Sequence, residues 1–143
     1  MNETSEIPAR GRILVVDDNE IIQRSLQLVM EERGYDVVLA GDIPDALTAV
    51  RTQRPDVILL DINFPPDAAA VGGSQRDGFW ALEWMRYLDR MKGIPIILIS
   101  SDDPAAVRPH ALAAGAAAYL QKPINHDELA ALLADLLARK PAT

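Results

Sequence analysis

Five short apolar runs recur along the chain, separated by stretches with helical spacing, and this alternation leaves few folds open. The runs fall at residues 12–16, 36–40, 56–60, 94–99 and 117–120. Most are continuous blocks of Val, Ile and Leu rather than alternating patterns, as a strand buried on both faces requires. Between the runs, apolar residues return every three or four positions, as on the buried stripe of a helix. In the first such stretch they are Ile21, Ile22, Leu26, Leu28, Val29 and Met30, with Asp or Asn available as a cap and Gly34 as a stop. Further helices are expected over 42–53 with Pro44 in the first turn, over 77–91, and from Pro104 until Gly115 ends it. A last one spans 127–139, where Leu129, Leu132, Leu133, Leu136 and Leu137 line one stripe. Strands alternating with helices in this way predict an α/β protein: a doubly wound, five-stranded parallel sheet covered by five helices.

The 143 residues suit one domain with one core. The expected division is a flexible lead over 1–10, the domain over 11–140 and a tail over 141–143. A loop breaks the pattern between Pro65 and Arg76, with three consecutive alanines, Gly72-Gly73-Ser74 and no usable periodicity. A connection of about a dozen residues without structure is uncommon in a compact domain and is often functional.

Charge and composition exclude several functions. A net charge of −7 argues against a nucleic-acid surface, which needs Lys and Arg gathered on one face. With no cysteine, a disulfide framework, thiol catalysis and a cysteine zinc site are all ruled out. Two histidines, His110 and His126, are too few for an ordinary transition-metal cluster. No apolar run approaches the roughly 18 residues that cross a bilayer, and the acidic amino end does not read as a signal peptide. A cytoplasmic protein without a membrane partner is the expectation.

Chemistry gathers where the runs end. The first ends in Asp17-Asp18, the third in Asp61 and the fourth in Ser100, and Lys122 follows the fifth. In a parallel sheet these ends share one edge, and ligands bind outside the carboxyl ends of the strands. Three carboxylates brought together repel one another, so a cation belongs among them. With oxygen donors only, Mg²⁺ is the natural occupant, because it takes one or two carboxylates and keeps several waters. Taken singly, Asp17-Asp18 reads equally well as a helix cap, and Ser100 and Lys122 as solvated side chains. Their joint occurrence at four strand ends is what points to phosphoryl chemistry.

The combination resembles the receiver domain of two-component response regulators, a CheY-like family, over nearly the whole chain. The residues carrying the resemblance are Ile13-Leu14-Val15-Val16-Asp17-Asp18, Asp61, Ser100 after Pro95-Ile96-Ile97-Leu98-Ile99, Ala114-Gly115-Ala116, Tyr119 and Lys122-Pro123. It implies the flavodoxin-like strand order 2-1-3-4-5. By the same resemblance Asp61 is the phosphoacceptor, taking the phosphoryl group of a histidine kinase or histidine phosphotransfer protein. Mg²⁺, with Mn²⁺ able to substitute, is implied to lie on Asp18, Asp61 and the backbone carbonyl of Asn63, with Asp17 acting through water. Lys122 is implied to pair with the phosphoryl group, Ser100 to hydrogen-bond it and Tyr119 to turn inward; read as a residue alone, Tyr119 is half-buried packing. The Lys122–Pro123 bond is implied to be cis.

Further implications concern output and lifetime. The predicted fourth helix, fifth strand and fifth helix are implied to form the surface that switches, for an unidentified downstream protein or a homodimer. Asn63 and Asp102, two residues past the acceptor and two past the switch hydroxyl, are implied to tune dephosphorylation. Both are polar and able to orient a water, so a short-lived phosphoryl group is expected. The chain stops at Thr143, soon after the last predicted helix, so a receiver standing alone is expected.

Two features depart from the family pattern. The Asp-Gly pair that follows the acceptor comes late, at Asp77-Gly78, so 66–76 is largely an insertion beside the site. The helix after it carries Trp80, Trp84 and Tyr87 on a stripe that is usually polar in the family. The loop is expected to fold over Trp80 and Trp84, or to join them in a docking patch. Two other readings compete with the receiver. A Mg²⁺-dependent phosphatase forming an aspartyl-phosphate needs a second Asp two residues past its nucleophile, where this chain has Asn63. A scaffold receiver would not need Asp18, Asp61, Ser100 and Lys122 together.

Overall fold

A computed structural model describes residues 10–61, 93–101, 103–113 and 115–138. Its elements are β1 (Arg12–Val16), α1 (Glu20–Glu32), β2 (Asp36–Ala40), α2 (Ile43–Gln53), β3 (Val57–Asp61), β4 (Ile96–Ser100), α3 (Pro104–Ala113), β5 (Ala118–Gln121) and α4 (His126–Ala138). Here α3 and α4 are the predicted fourth and fifth helices. The predicted third helix, the 66–76 insertion and Trp80, Trp84 and Tyr87 lie outside the described residues, as do Asn63 and Asp102.

The strands form one parallel sheet of order β2-β1-β3-β4-β5, as expected for a doubly wound α/β fold. Alternation along each strand divides the core between the two faces. Leu14, Val16, Ile58, Leu60, Ile96 and Leu98 pack with Ala46, Ala49 and Val50 of α2 and Ala111 of α3. Ile13, Val15, Val57, Leu59, Ile97 and Ile99 point the other way, onto Leu26 and Met30 of α1 and Leu129, Leu133 and Leu136 of α4. β3 and β4 are buried at every position, which accounts for their continuous apolar sequence.

An Asn or Asp stands immediately before each described helix. Asn19 accepts from the backbone N–H groups of Ile21 and Ile22, and Asp42 from that of Asp45. Asp103 accepts from Ala105 N–H and Asn125 from Glu128 N–H. Such caps supply acceptors to N–H groups that have no partner inside the helix, each worth about 1 kcal/mol. Gly34 and Gly115, at φ +97° and +112°, carry the chain out of α1 and α3 in the left-handed region where a side chain is strained.

Several boundaries move by a residue or two. Asp61 and Ser100 are the last residues of their strands, as expected, and each still pairs with a neighbouring strand. β4 starts at Ile96 instead of Ile94, and β5 runs over 118–121 instead of 117–120. On α1, Ile21 and Leu28 are exposed, and the buried positions are Gln23, Leu26 and Met30. Tyr119 is buried rather than half-buried, at 7% exposure, in the cluster that holds Leu98 and Ala111.

Candidate functional site

The register of the sheet builds the site. Val16 of β1 pairs with Leu60 of β3, so one step further along the two strands bring Asp17 beside Asp61. Asp61 pairs with Ile99, which places Ser100 one step beyond, and Ser100 pairs with Gln121, which places Lys122 one step beyond that. Four side chains distant in sequence are thereby delivered to one edge by backbone hydrogen bonding alone.

Carboxylate oxygens of Asp17, Asp18 and Asp61 all lie within 4.8 Å of one another. Asp17 and Asp61 are buried and Asp18 is exposed. Lys122 Nζ lies 3.1 Å from Asp61 Oδ2 and 3.8 Å from Asp17 Oδ2. The Lys122–Pro123 peptide is cis. Lys122 is further held by its backbone N–H, which donates to the Ser100 carbonyl at 2.8 Å. The Tyr119 hydroxyl reaches the same carbonyl at 3.5 Å, at the limit of a hydrogen bond. The Ser100 side chain is fully buried.

Burial pushes the Asp17 carboxyl up to about 6 from its ordinary 3.8. The Asn19 backbone N–H pulls it back, the Asp61 carboxylate pushes it up again, Lys122 draws it down and Asp18 raises it. Lys122 thus lowers the cost of charging Asp17 without removing the larger cost of burying it. A hard divalent cation would lower it further, and three carboxylates at this spacing are suitable donors for Mg²⁺. The residues present fit that ion.

Two features were not anticipated from sequence. Gln23 is buried, and its Nε2 donates to the carbonyl of Asp17 at 2.6 Å and to that of Ala40 at 3.0 Å. A long polar side chain in register with Leu26 and Met30 on the buried stripe was the available signal. The second is an open groove of about 590 Å³ whose lining includes Lys122, Ile21, Ile22, Leu26, Ile124 and His126. Exposure of Ile21 at 80% makes one wall of it apolar and accessible. Among the described residues, no helix is long and apolar enough to cross a membrane.

The chain matches the response regulator receiver domain family over residues 13–134. It is 34% identical over 130 residues to the DNA-binding response regulator MtrA of Mycobacterium tuberculosis, covering 91% of this chain and 52% of that protein. With the response regulator MprA of Mycolicibacterium vanbaalenii it shares 38% identity over 130 residues, covering 90% and 51%. The chain thus spans about half the length of these curated relatives. Among solved structures, the Francisella response regulator 1452 receiver domain superposes with a TM-score of 0.77 at 29% identity, covering 92% of this chain and 99% of that one. The chemotaxis response regulator CheY4 of Vibrio cholerae gives 0.72 at 28% identity, covering 87% and 97%. With the family match, the relatives and the shared fold in agreement, this chain belongs to the receiver domain family of two-component response regulators.

Proposed function

We propose that Asp61 takes a phosphoryl group from the phosphohistidine of a histidine kinase or phosphotransfer protein, and that the receiver over 11–140 then changes a binding surface. The observation that carries this reading is the contact of Lys122 with Asp61 inside a three-carboxylate cluster. In the transfer, a carboxylate oxygen of Asp61 bonds to phosphorus, the phosphorus–nitrogen bond breaks, and the imidazole leaves with its electron pair. Hydrolysis of the aspartyl-phosphate by water restores Asp61. The chain is therefore a signalling acceptor rather than a turnover enzyme, as receiver domains generally are.

Receiver domains bind Mg²⁺ through an acidic pocket, and Asp17, Asp18 and Asp61 are the residues that would hold it here. When bound, the ion neutralises charge on the phosphoryl oxygens. The chain itself supplies position. Lys122, tethered by its backbone to Ser100, stands ready to exchange its carboxylate contact for a phosphoryl oxygen. We assign Ser100 the hydrogen bond to another of these oxygens. Tyr119, whose hydroxyl already lies against the Ser100 carbonyl, would sense that movement. β5 carries Tyr119 and leads directly into Lys122, so output is assigned to the surface of α3, β5 and α4. The groove, which Lys122 lines while its ammonium contacts Asp61, would give a phosphodonor protein apolar surface. MtrA is DNA-binding by description; at net −7, this acidic stretch is not assigned a nucleic-acid contact of its own.

The test is incubation with acetyl phosphate and Mg²⁺ followed by intact-mass measurement of the wild type and Asp61→Asn. One added phosphoryl group on the wild type alone is expected. Equal labelling of both proteins overturns the assignment.

A further inference from the structure

Gln23 closes a circuit of hydrogen bonds around Asp17. The Asp17 carboxylate accepts from Asn19 N–H at 2.9 Å. Asn19 in turn caps α1, and its carbonyl accepts from Gln23 N–H at 3.1 Å. The Gln23 side chain then returns to the carbonyl of Asp17, and its second amide hydrogen goes to Ala40, the last residue of β2. Ala40 also accepts from Asp17 N–H at 3.1 Å. One buried amide thus ties the ends of β1 and β2 to the first turn of α1. A primary amide is suited to this, because it offers two donors on one nitrogen without adding charge beside the acidic cluster.

From this circuit we infer that Gln23 is a positioning residue for the acidic cluster. By fixing the backbone of Asp17 it holds the Asp17-Asp18 turn where its carboxylates meet Asp61, before any cation or phosphoryl group arrives. The inference rests on the metal-binding reading given above. Cutting the circuit frees the turn to relax away from Asp61, driven by the mutual repulsion of the carboxylates. Hydrogen bonds made directly to metal ligands typically account for about 10- to 100-fold in metal affinity, and Gln23, which acts through the Asp17 backbone, belongs at the lower end.

The test is isothermal titration of the metal-free chain with Mg²⁺, alongside its thermal midpoint. Gln23→Met keeps the length and removes both donors. Gln23→Asn keeps the amide but shortens its reach, and serves if the methionine variant fails to fold. Met30→Ala, buried on the same helix away from the cluster, is the control for lost stability. The expected result is a loss of Mg²⁺ affinity of about tenfold in the Gln23 variants, with Met30→Ala close to wild type at a comparable fall in midpoint. The amide of Asn19 should also exchange faster in the Gln23 variants by NMR. Affinity unchanged in both Gln23 variants, or lost equally in Met30→Ala, overturns the positioning role. Failure of the wild type to bind Mg²⁺ instead overturns the metal reading on which it rests.

Discussion

Lys122 places its ammonium 3.1 Å from Asp61 Oδ2, while its backbone is tied to the Ser100 carbonyl one strand away. The lysine side chain is 20% exposed and the carboxylate 4%, so the pair lies in a more apolar setting than an ordinary surface ion pair. The same ammonium also faces Asp17, so it is a shared counter-ion for the two buried acids. If its role is to stabilise charge developing on a transferred phosphoryl group, Lys122→Met should slow labelling by acetyl phosphate about tenfold or more. Mg²⁺ affinity should not weaken, because a competing cation has been removed. Intact-mass time courses and calorimetric titration read the two effects separately. Parallel loss of both would mean that the substitution had only disordered the site.

Asp17 should give the metal-free domain a pH dependence of characteristic sign. Its carboxyl titrates near 6 in the folded chain, against an ordinary 3.8, chiefly because it is buried. Between those values the folded state binds the proton more tightly than the unfolded chain does. This contribution is complete below the lower value and is lost as pH rises through the upper one. From about pH 7 to about pH 5, the wild type should gain on the order of 1 kcal/mol relative to Asp17→Asn in urea unfolding. Millimolar Mg²⁺ should erase or reverse the gain, since the ion favours the charged form. A wild type that loses stability relative to Asp17→Asn over this range would contradict the assignment.

Such a site was largely legible in the sequence because its geometry is a property of strand register. Once 12–16, 56–60, 94–99 and 117–120 are read as parallel strands, Asp17, Asp61, Ser100 and Lys122 fall at one edge. Shifts of a residue or two in strand bounds left that edge intact, because Asp61 and Ser100 are themselves the last residues of the ladder. Helix orientation was less legible. Spacing showed that 20–32 is amphipathic, but packing against the sheet decides which neighbouring positions turn inward. Gln23, Leu26 and Met30 face in, while the more apolar Ile21 and Leu28 face out. Buried Gln23 breaks the apolar pattern because it answers two strand-end carbonyls, a demand visible only when β1, β2 and α1 are brought together.

Arg54 gives a prediction about stability alone. It ends α2 at φ 51° and ψ 66°, the left-handed conformation, with its side chain exposed. An L-residue there bears a cost of roughly 1–2 kcal/mol, which glycine avoids. Glycine gives part of that back through greater freedom in the unfolded chain. Arg54→Gly should therefore raise stability by about 0.5–1 kcal/mol, seen as a higher thermal midpoint, with Asp61 labelling unchanged. A lower midpoint would show that the arginine side chain contributes more than its backbone costs.

The lifetime of the phosphorylated state should be short. Loss of the phosphoryl group from Asp61 requires a water placed opposite the carboxylate oxygen. The family resemblance assigns the orienting of that water to the side chains two residues past the acceptor and two past the switch hydroxyl. Asn63 and Asp102 stand two residues beyond Asp61 and Ser100 in the chain, and both can hydrogen-bond a water. Decay followed by intact mass after removal of acetyl phosphate should be complete within minutes. Replacing both residues with apolar ones, Asn63→Met with Asp102→Leu, should lengthen the lifetime by about tenfold or more without abolishing labelling. A wild-type phosphoryl group that persists for many hours would rule out this account, and so would a double variant that decays as fast as the wild type.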